Sequence, residues 1–135
     1  MKSLALSLAV TAVLLLVGCS TAGPAPVAPS GSGTEQRFPD IVGVEVTPAA
    51  DGFSFAVTVS SPYDTPERYA DAFRVRAADG TVFGVNELTH DHASEQPFTR
   101  SFDVSIPEGV GEVVVEGRDQ ANGWGGGTQT VPVPR

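Results

Sequence analysis

Cysteine is nearly absent from this chain of 135 residues, in which Cys19 is the only one. A single cysteine cannot form an internal disulfide, so a folded domain here must be stabilised by its hydrophobic core alone. A nucleophilic cysteine needs a partner side chain to activate it, and the apolar sequence around Cys19 provides none. The composition therefore argues against a disulfide scaffold and against a thiol enzyme.

Positive charge is also scarce. The chain has 8 basic residues against 16 acidic ones, a net charge of −8, and Lys2 is its only lysine. Without the first 18 residues, seven arginines stand against the same 16 acids, and the net charge becomes −9. Phosphate backbones and anionic lipid headgroups repel such a chain, which excludes nucleic acid as a partner.

An uncharged apolar run of 14 residues, Leu4 to Val17, follows Lys2. As a helix rising about 1.5 Å per residue, the run would reach about 21 Å. That is short of the ~30 Å hydrocarbon core of a bilayer. The length is typical of a signal peptide, so we predict one over residues 1–18. An uncleaved N-terminal anchor and a buried core helix are the alternatives.

The stretch that closes this run, Leu16-Val17-Gly18-Cys19, resembles the lipobox of bacterial lipoproteins. The resemblance implies that Cys19 carries lipid and becomes the first residue of an exported mature protein. That protein would be lipid-anchored in the cell membrane or the outer membrane. Two or more acyl chains hold a protein stably on a bilayer, at about 0.8 kcal/mol per buried CH₂.

Residues 19–37 consist of the Cys19 anchor and a segment rich in Pro, Ala, Gly and Ser. Because this segment has no periodic apolar residues, it cannot bury enough surface to offset the entropy of ordering it. We therefore predict a flexible linker there. Residues 38–135 remain, which is enough for one domain with one core.

Apolar and polar residues alternate through this domain, as in Phe53 to Val59, where every second residue is large and apolar. A period of two indicates half-buried strands, and no segment has the apolar stripe of a helix. Turns such as Asp51-Gly52 and Asp79-Gly80 separate the runs. We predict seven strands, at residues 41–47, 53–60, 71–78, 81–88, 98–106, 111–118 and 128–133.

Seven short strands in a domain of this size predict an antiparallel β-sandwich of the immunoglobulin-like or fibronectin-III-like kind. An open β-barrel is the alternative. The valine-rich stretch from Val114 to Gly123 resembles the penultimate strand and turn of bacterial Ig-like modules. In that topology the third and sixth strands are neighbours, so their outward charges should form a cross-strand ladder, which comprises Arg74, Arg76, Glu116 and Arg118. A ligand-binding arginine patch is the alternative.

Three loops, at residues 61–69, 89–97 and 119–127, should share one end of this sandwich. Sandwich domains commonly bind through loops on a rigid scaffold, so we expect the binding site at that end. The candidate binding residues are Trp124, Tyr63, Asp64, His90, His92, Arg118 and Asp119. Trp124 stands among glycines that fit positive-φ positions of a turn, either as an exposed platform or as a cap on the core.

His90 and His92 point to the same side of an extended backbone. Two imidazoles placed this way can bind Zn²⁺ or Cu²⁺, with Glu95 or Asp64 as a third ligand. The pattern lacks a second ligand pair at a diagnostic spacing. The alternative interpretation is that these side chains form hydrogen bonds to the backbone of a long loop.

Catalytic motifs are missing from the sequence, which has neither a Gly-x-Ser-x-Gly elbow nor a recognisable triad. We therefore expect a monomeric, non-enzymatic binding or interaction module of the cell envelope, without a cofactor, whose ligand is a protein or a glycan. The alternative function is an envelope protein that binds a divalent metal through His90 and His92.

Overall fold

The structure, a computed structural model, describes residues 35–135. The predicted signal peptide, Cys19 and the linker up to residue 34 lie outside the described residues. The described part contains no helix, and so no helix there is long enough to cross a membrane. Its seven strands are β1 Asp40–Ala49, β2 Gly52–Ser60, β3 Ala70–Arg76, β4 Val82–Glu87, β5 Phe98–Val104, β6 Glu112–Asp119 and β7 Gly123–Pro132.

These strands form two antiparallel sheets. The three-stranded sheet has the order β1-β2-β5, and the four-stranded sheet has the order β4-β3-β6-β7. Two sheets that pack their apolar faces together make a β-sandwich, which confirms the predicted fold class. The pairing of β3 with β6 also confirms that the third and sixth strands are neighbours.

The alternating pattern decides which side chains fill the space between the sheets. Every second residue of β2 from Phe53 to Val59 is buried, and the residues between them are half-buried. The Phe102 ring lies 6.2 Å from Phe55 and 5.3 Å from Phe73, so aromatic contacts link the two sheets. β-Branched valines complete the core, since they suit the pleated surface of a strand.

The predicted start of the last strand is wrong. We expected a loop up to residue 127, but β7 begins at Gly123, and the connection from β6 is residues 120–122 alone. The glycines that suggested a loop lie in a strand with a bulge, which is marked by a register shift opposite Val115 and Gly117. Gly126, with φ of +91°, supplies the backbone conformation that this irregular strand requires.

The glycines of β6 and β7 also make room for the residues that precede β1. A Cβ atom at Gly125 would meet the Phe38 ring, and one at Gly126 would meet the carbonyl oxygen of Pro39. Pro39 itself is buried against Gly117. The glycine-rich stretch therefore forms a surface against which the N-terminal segment of the domain packs closely.

The substitution Gly126→Ala should destabilise the domain, because it combines a positive φ with a clash against the Pro39 carbonyl. We expect a loss of about 1–3 kcal/mol. Thermal unfolding should show a melting temperature lower by about 4–8 °C for each kcal/mol. Gly109→Ala is the matched control, since a Cβ there meets nothing within 4 Å. Equal stability of the two variants would contradict this account.

Candidate functional site

The β2–β3 loop (residues 61–69) and the β4–β5 loop (residues 88–97) meet at one end of the sandwich. Asp64 links them, because its two carboxylate oxygens accept the backbone N–H groups of Ala70 and His92, each at 3.0 Å. The Gln96 side chain accepts the N–H of Ser61 at 2.7 Å and donates to its hydroxyl at 3.1 Å. The predicted gathering of these loops at one end is confirmed.

Asp119 is the most deeply buried charged residue at this end, with no exposed surface. Its carboxylate accepts a hydrogen bond from Arg68 Nε at 3.1 Å and three more from the β6–β7 turn. These are the N–H groups of Ala121 at 3.0 Å and Asn122 at 2.8 Å, and Asn122 Nδ2 at 2.7 Å. Burial alone would raise the pKa of Asp119, but the hydrogen bonds from Asn122 lower it overall.

Arg68 and Asn122, both bound to Asp119, hold the chain before β1. The Arg68 guanidinium donates to the carbonyls of Gln36 at 3.4 Å and Arg37 at 3.1 Å. Asn122 exchanges two hydrogen bonds of 3.1 Å with Arg37, one to its carbonyl and one from its side chain. The polar groups of the loop end thus bind the protein's own N-terminal segment, residues 35–39.

Tyr63 stacks beneath Arg68, whose guanidinium carbon lies 4.5 Å from the ring centre. The Tyr63 hydroxyl is buried and has no hydrogen-bond partner among residues 35–135. Burial, followed by the nearby charge of Asp119, raises the pKa of Tyr63 far above its ordinary range. This tyrosine therefore stays neutral and supports the Arg68–Asp119 pair by packing.

His92 is buried to 1% exposure and packs on aromatic neighbours. Its ring stacks on Phe98 at 3.9 Å and lies 4.7 Å from the ring of His90. Neither ring nitrogen has a partner in the described part of the chain. Burial lowers the pKa of His92, and the nearby positive charge of Arg100 lowers it further.

The predicted metal site at His90, His92 and Glu95 is not supported. The Glu95 carboxylate pairs with Arg100 at 2.9 Å, and both oxygens of Asp64 already accept backbone N–H groups. Residues 35–135 contain no group of three His, Cys, Asp or Glu side chains placed to hold a metal ion. Asp64 instead accepts hydrogen bonds from the loop backbone, as the alternative interpretation described, whereas the ring nitrogens of His92 form none within residues 35–135.

Trp124 and Arg118 lie next to the β6–β7 turn, on the outer face of the four-stranded sheet. Trp124 sits on β7 directly opposite Arg118 of β6 and is half-buried. The guanidinium carbon of Arg74 lies 4.0 Å from the indole centre, and that of Arg118 lies 5.2 Å away. Trp124 is therefore neither a loop platform nor a cap on the core, because strand alternation directs it outward.

Charged pairs surround this tryptophan and confirm the predicted ladder between β3 and β6. Glu116 accepts hydrogen bonds from Arg74 at 2.7 Å and from Arg76 at 3.1 Å. Arg118 forms a two-pronged pair with Asp71, at 2.7 and 3.1 Å. We call this surface the Trp124 face, defined by Asp71, Arg74, Arg76, Val82, Val85, Glu87, Val114, Glu116, Arg118 and Trp124.

An open groove of about 790 Å³ lies at the opposite end of the sandwich, and none of the predicted site residues lines it. Phe53, Pro48 and Arg135 contribute to its lining. The Arg135 guanidinium donates to the carbonyl oxygens of Pro107 at 2.7 Å and Val110 at 3.2 Å. Of the two charged side chains in its lining, Glu108 and Arg135, the arginine is thus already engaged in closing the end of the fold.

The candidate residues chosen from the sequence did not include Arg68, Gln96 and Asn122, which bind other parts of the chain rather than a ligand. The sequence analysis placed Arg74 in the charge ladder but did not place it beside Trp124, to which it is the closest arginine. Arg74 and Arg118 both lie at outward positions of their strands. Their closeness to Trp124 could therefore have been predicted once β3, β6 and β7 were known to be neighbours. The partners of Asp119 follow from loop conformation, which no local pattern reveals.

Comparisons with known proteins give two similarities. The sequence is 43% identical, over 77 residues or 57% of the chain, to a Halomicrobium mukohataei protein named "Putative lipoprotein". The match covers 38% of that protein's length. A superoxide reductase from Giardia intestinalis aligns with 70% of this chain and 99% of its own, at a TM-score of 0.43 and 10% identity, too low for a functional argument. No family model matches the chain.

Replacing Asp119 by Asn should destabilise the loop end, because Arg68 would lose its buried charged partner and one oxygen that accepts hydrogen bonds would become an amide donor. We expect a loss of about 3 kcal/mol in the free energy of unfolding. Asp103→Asn, an exposed position on β5, should change stability by less than about 0.5 kcal/mol. Denaturant unfolding of both variants measures the difference, and a loss at position 119 no larger than at 103 would refute the role of Asp119.

The buried imidazole of His92 should make stability fall in mild acid. Because its pKa is lowered in the fold, the folded state binds fewer protons than the unfolded chain below about pH 6.5. Stability should therefore decrease as pH falls through that window, by up to about 1.4 kcal/mol per pH unit. His92→Phe should reduce this slope, while the exposed control His90→Phe should retain most of it.

Denaturant unfolding at a series of pH values measures these slopes. The His92→Phe variant keeps an aromatic ring stacked on Phe98. It loses no hydrogen bond, because the ring nitrogens of His92 have no partner in the described part of the chain. Its stability at pH 7 should thus be close to that of the parent. An unchanged slope in this variant would show that another group carries the acid sensitivity.

Proposed function

We propose that this protein is an exported, lipid-anchored and non-enzymatic interaction module, and that the Trp124 face is its interaction surface. The anchor is supported by the lipobox-like stretch that ends at Cys19. It is also supported by the partial similarity to the Halomicrobium mukohataei protein that is named as a lipoprotein. The partner in this proposal is a protein of the same envelope.

The observation that carries the proposal is the setting of Trp124. Its indole is flanked by two arginines on a sheet face where Val82 and Val85 are 43% and 44% exposed. Tryptophan and arginine are among the residues most enriched at the energetic centres of protein interfaces. Because Asp71 and Glu116 fix both guanidinium groups, the surface is ordered before any partner arrives.

The loop end is a poorer interaction surface than the sequence suggested. Asp119 and Asp64 are buried and satisfied within the fold, so neither carboxylate is available to a ligand. Residues 35–39 also contact the sandwich here, so in this proposal the linker joins the domain at the loop end. The Trp124 face runs along the strands, beside that attachment.

Site-specific photo-crosslinking in the native envelope tests the proposal. A photoreactive amino acid at Val85 should capture an envelope protein, and Trp124→Ala should lower the yield several-fold. The matched control places the same probe at Ser101, an exposed outward residue of the other sheet, where we expect background capture only. In the same cells, Cys19→Ser should move the protein from the membrane to the soluble fraction.

Each half of the proposal can fail separately. Equal capture at Val85 and Ser101, or a yield insensitive to Trp124→Ala in a variant whose circular dichroism matches the parent, would overturn the interaction surface. Membrane retention of the Cys19→Ser variant would overturn the lipid anchor.

A further inference from the structure

The Trp124 face is the electrically balanced part of a strongly acidic domain. Its three arginines are matched by three carboxylates, from Asp71, Glu87 and Glu116. Residues 35–135 contain seven arginines and 16 acidic residues, so the whole net charge of −9 lies elsewhere on the domain. That remaining surface is acidic on average, and two copies that met through it would repel each other.

We infer that the partner of the Trp124 face is a second copy of this chain, which docks side by side on the same membrane. This inference rests on the proposed function. A two-fold contact uses the same patch on both molecules, so the patch must be complementary to itself. A face that carries arginine and carboxylate in equal number meets this condition, because rotation can set Arg76 of one copy against Glu87 of the other.

Other occupants fit the charge pattern less well. A basic partner would be attracted at least as strongly to the acidic remainder of the surface, so nothing would select the Trp124 face. An acidic partner would be repelled by that remainder and would find no excess of positive charge here. The exposed Val82 and Val85 add apolar area at the edge strand β4, where a symmetric neighbour can cover it.

The size of the face makes this contact weak in solution. Four strands spaced about 4.8 Å apart and five residues of about 3.4 Å each give a patch of about 19 by 17 Å. Two such patches amount to an area on the order of 650 Å², well below the ~1,200 Å² of stable complexes. Lipid anchors that confine two copies to one surface raise their effective concentration, and so a contact of this size becomes populated.

Crosslinking of the lipidated full chain in phosphatidylcholine vesicles tests the inference. The chain's only cysteine is used by the anchor, so an introduced Val85→Cys offers a single thiol to a short bismaleimide linker. We expect covalent dimers at several-fold higher yield than from the control Ser101→Cys. Dissolving the vesicles in detergent at the same bulk concentration should reduce the Val85→Cys yield to that of the control.

A charge-matched pair of variants, each made in the Val85→Cys chain, tests the electrostatic argument. Arg76→Gln makes the net charge of the Trp124 face more negative by one, while Glu116 keeps its ion pair with Arg74. This substitution should reduce the dimer yield several-fold. The control Ser101→Glu makes the same change in net charge on the exposed face of the other sheet and should leave the yield unchanged. An equal loss in both variants would contradict a balanced contact at the Trp124 face.

The outcomes separate this inference from the proposed function. Equal dimer yields from Val85→Cys and Ser101→Cys in vesicles would overturn the second copy as partner. If the native envelope then still gave a different protein at Val85, the interaction surface would stand with another occupant. Absence of capture in both settings would overturn both.

Discussion

The buried carboxylate of Asp119 is the contact on which the loop end depends. It fixes the β6–β7 turn through Asn122 and orients Arg68, and these two side chains hold the segment that leads into β1. A buried carboxylate is costly unless it is paired and hydrogen-bonded, and here four donor groups meet that requirement. Neither Asp119 nor Asp64 offers a free carboxylate to a ligand, because their oxygens already accept hydrogen bonds within the fold.

The Trp124 face differs from the loop end because apolar side chains remain partly exposed beside its polar groups. Its arginines are also paired, but on an open sheet surface whose apolar residues are partly exposed. These ion pairs are half-buried, with side chains 13–28% exposed, and they fix the arginines around the indole. One end of the domain thus binds its own N-terminal segment, and one side is suited to association.

Strand positions followed closely from the sequence, since alternation is a local property of a backbone with a two-residue period. The prediction failed at β7, where the run from Gly123 to Gly127 indicated a loop. Those glycines instead accommodate Phe38 and Pro39, which are more than 80 residues away in sequence. Local pattern cannot reveal a contact of that kind, and so the position of Trp124 was wrong as well.

The all-β class, the seven strands, the net negative charge and the dependence on a core without disulfides can all be read from the sequence, because each follows from composition or from short-range periodicity. Which polar groups remain available depends on the packing of the two sheets. In the folded domain Asp64, His92 and Asp119 are buried and hold the fold together, and Trp124 lies on a sheet face beside Arg74. The reason is that burial and hydrogen bonding join residues from distant strands and loops, and those pairings arise only when the two sheets close.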